Sequence, residues 1–542
     1  MKNGVRNTYF SWSIIALIIA CLLFFPLLFV LEGFRFGEDE NVLHIKSFLL
    51  KDMVFTTIRM ILGVGLVSLV LALPTAYFVS NYEFPLRKFL RKASMLPIAI
   101  PTYIMGFAYA SIFSISGSFY DLAEIFYDRE TLYSWNIDVL KEGWLMIFLG
   151  FALFPYVYSA ALVSFSIKNK SIDEAAASIG VGVWQRFWRV GFPMVVPALV
   201  SGFALVAMEV LNDFGAMSYY NVNTITAGIF QAKQMDFTSS VYLSALFFVV
   251  IASIFIIYYL VKSLRNVASV VVNAPTDLPK LKGGKAIFIS FLISLPFILG
   301  FVIPVAELLR LASNRVEVIF SQEFLSIIID SFQLAIIPAL IIVVLVLVLL
   351  YNQYINKSYL SKIFSAISNI GYAIPGAIIA VAVMAFVLVF DEEEKSFYYF
   401  LMDSLILILF AYVIRFMAVG YNTLESGFNR ISTTLPDAGR SLGKNSFLTF
   451  IKVYLPLLKN AIFTALAIVT VDILKELPIT LLLQPFNFDT LATITYEKAK
   501  VSESIRDASP YALLLIFVGA IVVLFLVDDS NSKLKNNNAQ DS

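Results

Sequence analysis

Two pairs of carboxylates share one spacing. Glu209 and Asp213 bracket Glu209-Val-Leu-Asn-Asp213, and Asp472 and Glu476 bracket Asp472-Ile-Leu-Lys-Glu476. Acids four apart fall on one side of a helix, and both pairs end long apolar runs. An ionised carboxylate within a bilayer costs about 3 kcal/mol or more unless it faces a cavity or a partner. Four acids so placed would suit the passage of a cation, and hard metal ions favour oxygen ligands. Two other readings stay open. The acids could be solvated helix ends beyond the hydrocarbon, with Lys475 offsetting part of their charge, or they could touch a delivery protein at the outer face. No resident metal is assigned to them.

Other reactive chemistry is scarce. A single cysteine, Cys21, and a single histidine, His44, rule out internal disulfides and multi-cysteine metal sites. They also leave little material for a nucleophile and its base. A phosphate-cradling loop needs the form G-x-x-x-x-G-K-[ST]. The nearest approach, Gly439-Arg-Ser-Leu-Gly443-Lys444-Asn445, is one residue short and ends in Asn where the magnesium-binding hydroxyl belongs. The chain is therefore not expected to be an enzyme or to bind a cofactor of its own. Any ATP and magnesium would belong to partner subunits.

The elements that carry these residues are set by composition. The 542 residues are 59% apolar and 14% charged, with a mean hydropathy of +0.84, against about 25% charged in soluble domains. Runs of about 20 apolar residues span a bilayer as helices. About twelve occur, near 10–31, 54–80, 93–115, 144–167, 194–213, 239–264, 286–310, 331–352, 363–390, 399–424, 457–477 and 509–528. The fold class is an all-α polytopic membrane protein. With twelve spans, Lys2 and Arg6, the Arg87–Lys92 cluster, Lys262 to Lys285, and Lys533 and Lys535 all fall on one side, which is then cytoplasmic together with both termini. Acid-rich Glu38-Asp-Glu40 and Asp391-Glu-Glu-Glu394 fall on the other side. The net charge of +1 gives no sign of nucleic-acid binding.

The chain repeats itself. Ala99-Ile-Pro101 precedes an apolar stretch as Ala373-Ile-Pro375 does, and Asn223-Thr-Ile-Thr-Ala matches Asp489-Thr-Leu-Ala-Thr. The first copy carries about ten extra residues between Ser116 and Glu142. The reading is two six-helix halves, 1–270 and 271–542, joined by a linker near Lys262 to Lys285. An even number of spans makes the halves parallel, related by a pseudo-two-fold along the membrane normal. Between the fourth and fifth spans of each half lies a polar, basic segment, near 168–193 and 431–456. The first runs Glu174-Ala-Ala-Ala-Ser-Ile-Gly180 and on to Pro193, which suggests a short helix, a glycine turn and a second helix. By residue type alone it could be an amphipathic connector or a docking surface for a soluble partner.

The spacing of Glu174, Ala175, Ala176, Gly180, Val190 and Pro193 resembles the signature of ABC importer permeases. The second copy fits at Ala438, Gly443, Val453, Leu455 and Pro456, with Asp437 for the acid and Gly439 for the second alanine. The resemblance implies the fold of type I ABC importers. It also implies that these segments are coupling helices docked on two ATP-binding subunits at the cytoplasmic face of a bacterial cell membrane. The stretches Leu211 to Phe230 and Asp472 to Ala492 look like those of iron(III) importer permeases of fused two-half form. That implies an external substrate-binding protein delivering ferric iron and passage by alternating access. Thiamine, sulfate, polyamine and phosphonate permeases share the plan. An ion-coupled secondary transporter would also fit twelve spans, but leaves the matched cytoplasmic segments without a task. Gly63, Gly65, Pro74, Pro101, Pro155, Pro375 and Gly376 could serve as bending points. The expectation for any one of them is a tolerated irregularity or a close-packing site within a span. Arg59 can snorkel to the outer interface, and Arg415, deeper, is expected to pair with an acid.

Overall fold

A computed structural model describes residues 2–115, 117–135, 137–166, 180, 182, 185, 187–264, 278–356, 370–390, 396–431, 446–500 and 504–540. Of the sites singled out above, Glu174, Ala175, Ala176, Asp437, Ala438 and Gly443 lie outside these residues, as do Gly439 to Asn445.

The described residues are helical almost throughout. Nine helical segments among them are long and apolar enough to cross a bilayer. They include Trp12–Phe36, which continues helix α1 (Lys2–Leu28), and Glu40–Asn81, which ends in α2 (Leu50–Asn81). The fourth and fifth runs form α7 (Glu142–Ser166) and α8 (Phe192–Asn212). In the second copy α14 (Gln322–Asn356), α17 (Ile406–Phe428), α18 (Leu455–Leu474) and α21 (Ile505–Gln540) are of this kind. Gly284–Ala312 makes the remaining long segment, running through α12 (Gly284–Phe297) and α13 (Ile303–Ala312).

Three of the twelve apolar runs are not full-length straight spans. The third divides into α3 (Arg87–Ala93), a 3-10 turn at Leu96–Ala99 and α4 (Thr102–Ile112), with a 95° bend. Proline causes the break. Pro101 has no N–H to give, and its ring drives Ile100 into extended backbone, with ψ of 116°. The ninth run repeats the device. A 3-10 turn at Ile370–Ala373 stops before Pro375, and α15 (Gly376–Phe390) starts after it. The sixth run is α11 (Phe237–Leu264), whose shorter apolar part is Phe237–Ser253.

The pattern on α2 shows how lipid and protein divide one helix. Met60, Val64, Ser68, Ala72 and Ala76, four apart, are fully buried, whereas Leu62, Leu66 and Val70 are 57–62% exposed. Four-residue steps keep one face inward, and the apolar outward face suits hydrocarbon. The helix continues unbroken through Gly63, Gly65 and Pro74. A Cβ at Gly65 would collide with the Phe203 ring, so this glycine is a packing site.

The chain forms two compact units. One comprises Met1–Leu50, Gly228–Tyr258 and Phe320–Ile494; the other comprises Lys51–Ala227, Tyr259–Ile319 and Thr495–Ser542. Each unit therefore draws on both sequence halves. In the first, α1 packs against α14 and α15; the Trp12 and Tyr351 rings meet edge-on at 5.1 Å, as do Phe29 and Phe386. In the second, α21 packs on α13, and Arg315 pairs with Asp507 at 2.6 Å. Tyr109 on α4 donates to the Leu299 carbonyl at 2.6 Å.

Candidate functional site

The two carboxylate pairs occupy the ends of α8 and α18, one pair in each compact unit. Neither pair shares a continuous helical face. Helix α8 stops at Asn212, and Asp213 turns to extended backbone with ψ of 111°. Helix α18 stops at Leu474, and Glu476 lies past its end. The reason is local: each second acid starts another helix. Asp213 accepts the backbone N–H of Ala216 at 2.9 Å, in α9 (Gly215–Tyr219). Glu476 accepts that of Ile479 at 3.2 Å, in α19 (Pro478–Leu483). An acid at a helix start satisfies an N–H that has no partner within the helix. Both are buried, at 5% and 6% exposure. The first acids, Glu209 and Asp472, are half-buried on the span helices. Tyr156 donates to Glu209 at 3.0 Å. Among the described residues no three His, Cys, Asp or Glu side chains gather as a metal site.

Beyond the short helices the two copies stay in step. Asn221 and Asn487 both take left-handed backbone, with φ of 53° and 58°; asparagine tolerates this conformation better than most residues. Next come α10 (Ile225–Met235) and α20 (Leu491–Lys500). Thr224 accepts the Ala227 N–H at 3.4 Å and Thr490 that of Thr493 at 3.3 Å, as N-caps. Thr57 of α2 accepts the Ile225 N–H at 3.0 Å, and Ser331 of α14 accepts the Leu491 N–H at 2.8 Å. These hydroxyls carried no motif in the sequence. Their equivalence is visible only once the second and eighth runs are packed against α10 and α20.

Lysines close each arrangement across the sequence halves. Lys233 on α10 donates to the Leu482 carbonyl of α19 at 2.9 Å. Lys500 on α20 donates to the Ser218 carbonyl of α9 at 2.6 Å, while Tyr496 donates to the Ser218 hydroxyl at 3.1 Å. Each ammonium thus neutralises a carbonyl near the C-terminal end of a short helix. Burial holds the Lys233 ammonium below the usual lysine range. At the start of α11, burial raises the Asp236 carboxyl, but hydrogen bonds from Thr238, Ser239 and Asn41 outweigh it and hold it below the usual range. Sequence reading missed both lysines, because a lysine at a helix end reads as a solvated residue.

The arginines within apolar runs find different partners. Arg59 pairs with Glu142 at 3.0 Å. Arg415, buried on α17, donates to the Ile374 carbonyl at the proline break. It thereby satisfies an acceptor that the interrupted helix leaves over.

Of the polar segment 168–193, Gly180 has φ of +78°, the left-handed turn that favours glycine. Its C-terminal part and that of the second segment share a further feature. A π-turn occupies Phe187–Gly191 and another Phe450–Tyr454, each ending two residues before a proline, Pro193 or Pro456. In the second, the Leu455 N–H reaches back to the Phe450 carbonyl, one residue further than in an α-helix.

The sequence family described as the binding-protein-dependent transport system inner membrane component matches residues 67–266 and again 354–530. The chain belongs to that family. The duplicated match coincides with the duplicated break, cap and lysine arrangements. The Fe(3+)-transport system permease protein FbpB 2 of Haemophilus influenzae is 25% identical over 532 residues, covering 96% of this chain and 98% of that protein. The ferric transport system permease protein FbpB of Actinobacillus pleuropneumoniae is 23% identical over 494 residues, 85% of this chain and 69% of that protein. The sulfate transport system permease protein CysT of Escherichia coli is 31% identical over 150 residues, 28% of this chain and 51% of that protein.

Proposed function

We propose that this chain is the permease subunit of an ATP-driven importer for iron(III). An external binding protein delivers the cargo, and the spans pass it to the cytoplasm by alternating access. The termini and both polar segments face the cytoplasm of a bacterial cell, where two separate ATP-binding subunits dock. Glu174, Ala175, Ala176 and Gly180, with Asp437, Ala438 and Gly443, couple their closure to the spans, and magnesium acts with ATP on those partners. Glu209, Asp213, Asp472 and Glu476 flank the cargo's route as oxygen-bearing groups.

The observation that carries the cargo is coverage. The Haemophilus relative named for Fe(3+) transport is matched over 98% of its length. Sulfate is the second reading, supported by higher identity over less than a third of this chain. Vesicles rebuilt with the permease, its ATP-binding subunits and its binding protein separate the two. ATP-dependent accumulation of radioactive iron, without accumulation of sulfate or thiamine, is expected. Sulfate uptake in place of iron would overturn the assignment, and uptake without any ATP-binding subunit would overturn the mechanism.

A further inference from the structure

The two copies differ most between Ser116 and Glu142, where the first is about ten residues longer. In the compact unit that contains this insertion, it walls a cavity of about 650 Å³ together with the ends of α4, α9 and α13 and the start of α21. Ser111, Ser114, Tyr120, Asp138, Tyr219 and Arg506 lie on its wall. The volume far exceeds the ~30 Å³ share of one water and falls within the ~300–1,000 Å³ typical of small-molecule sites. A bare ion would not need such room.

The surrounding charges are tied to one another. Glu307, buried on α13, accepts two hydrogen bonds from Arg310, at 2.9 and 2.8 Å, and one from Ser111 at 2.7 Å. Arg310 also reaches Asp121 of the insertion at 3.4 Å. Asp138 lies 3.6 Å from Lys141, and Arg315 pairs with Asp507 at 2.6 Å. Arg506 is the exposed exception, with no ion-pair partner among the described residues. A braced wall bearing one uncommitted guanidinium among hydroxyls favours a small oxyanion, because arginine's planar fork matches a carboxylate in two parallel hydrogen bonds.

We infer that this cavity binds a small polycarboxylate, the oxygen-donor class that holds ferric ion in solution, and that the chelate enters the import route there. The inference rests on the iron(III) reading and deepens it: the cargo reaches the permease as a chelate. Under the proposed orientation the insertion, between the third and fourth runs, faces the exterior.

The test is titration calorimetry on the full-length chain in lipid nanodiscs, with citrate, ferric citrate and sulfate as separate probes. Saturable binding of citrate and of ferric citrate is expected. Arg506→Gln should weaken both about tenfold or more, the worth of a charged hydrogen-bonded contact. Asp138→Asn, which removes the negative charge from the wall, should tighten both. Should Arg506→Gln fail to reach the membrane, Asp138→Asn still decides by the direction of its effect. No saturable binding, binding indifferent to both substitutions, or preference for sulfate would overturn the site. Calorimetry involves neither ATP nor transport. Lost binding with iron uptake intact therefore sinks this site alone, whereas citrate binding without iron uptake sinks the cargo reading.

Discussion

A buried carboxylate that accepts a backbone N–H three residues on has a structural use whether or not a cation ever passes it. Asp213 and Glu476 are both of this kind. Amide substitution separates the two duties, because Asn or Gln keeps the accepting oxygen and drops the charge. Asp213→Asn with Glu476→Gln is expected to leave the unfolding midpoint near wild type while depressing iron uptake. Alanine at either position should also cost roughly 1 kcal/mol of stability through the lost cap. Uptake assays run beside thermal unfolding check both, and full uptake in the amide variant would reduce the acids to caps. The residue types and the repeated spacing were legible in the sequence. That the second acid of each pair leaves the helix was not, because a spacing of four is read as helical until the next helix start is known.

At the scale of elements, Pro101 and Pro375 stand at matching places in the repeat. Each apolar run reads in the sequence as a continuous span with the proline tolerated inside it, whereas both fold as breaks. The π-turns before Pro193 and Pro456 were not foreseen. A π-turn takes in one residue more than an α-turn, and one residue is about 100° of helical rotation. Each turn therefore adds about that rotation at the entry to the span that follows it. Pro193→Ala with Pro456→Ala restores an N–H to the ladder and should relax both turns towards α-helix. The expected result is normal assembly with the ATP-binding subunits, measured by co-purification, but loss of the ATPase stimulation that the loaded binding protein produces. Retained stimulation would show that the turns do not set the coupling.

At the scale of the whole molecule, each compact unit is built from both sequence halves, and a lysine clasp joins them in each: Lys233 to the Leu482 carbonyl and Lys500 to the Ser218 carbonyl. Fragments 1–270 and 271–542, expressed as separate chains, should therefore co-purify without a covalent link. Lys233→Met with Lys500→Met should weaken that association, since a hydrogen bond to a charged group contributes about 1.5–3 kcal/mol. Fragments that purify apart would contradict the exchange. The membrane class, the apolar runs and the duplication follow from the sequence alone, because each depends on how one stretch meets lipid or on its likeness to another stretch. Which helices share a core, which acids become caps and which lysines reach across the halves were decided by tertiary structure. Those pairings depend on shape and hydrogen-bonding partners hundreds of residues apart, and no single stretch carries both members.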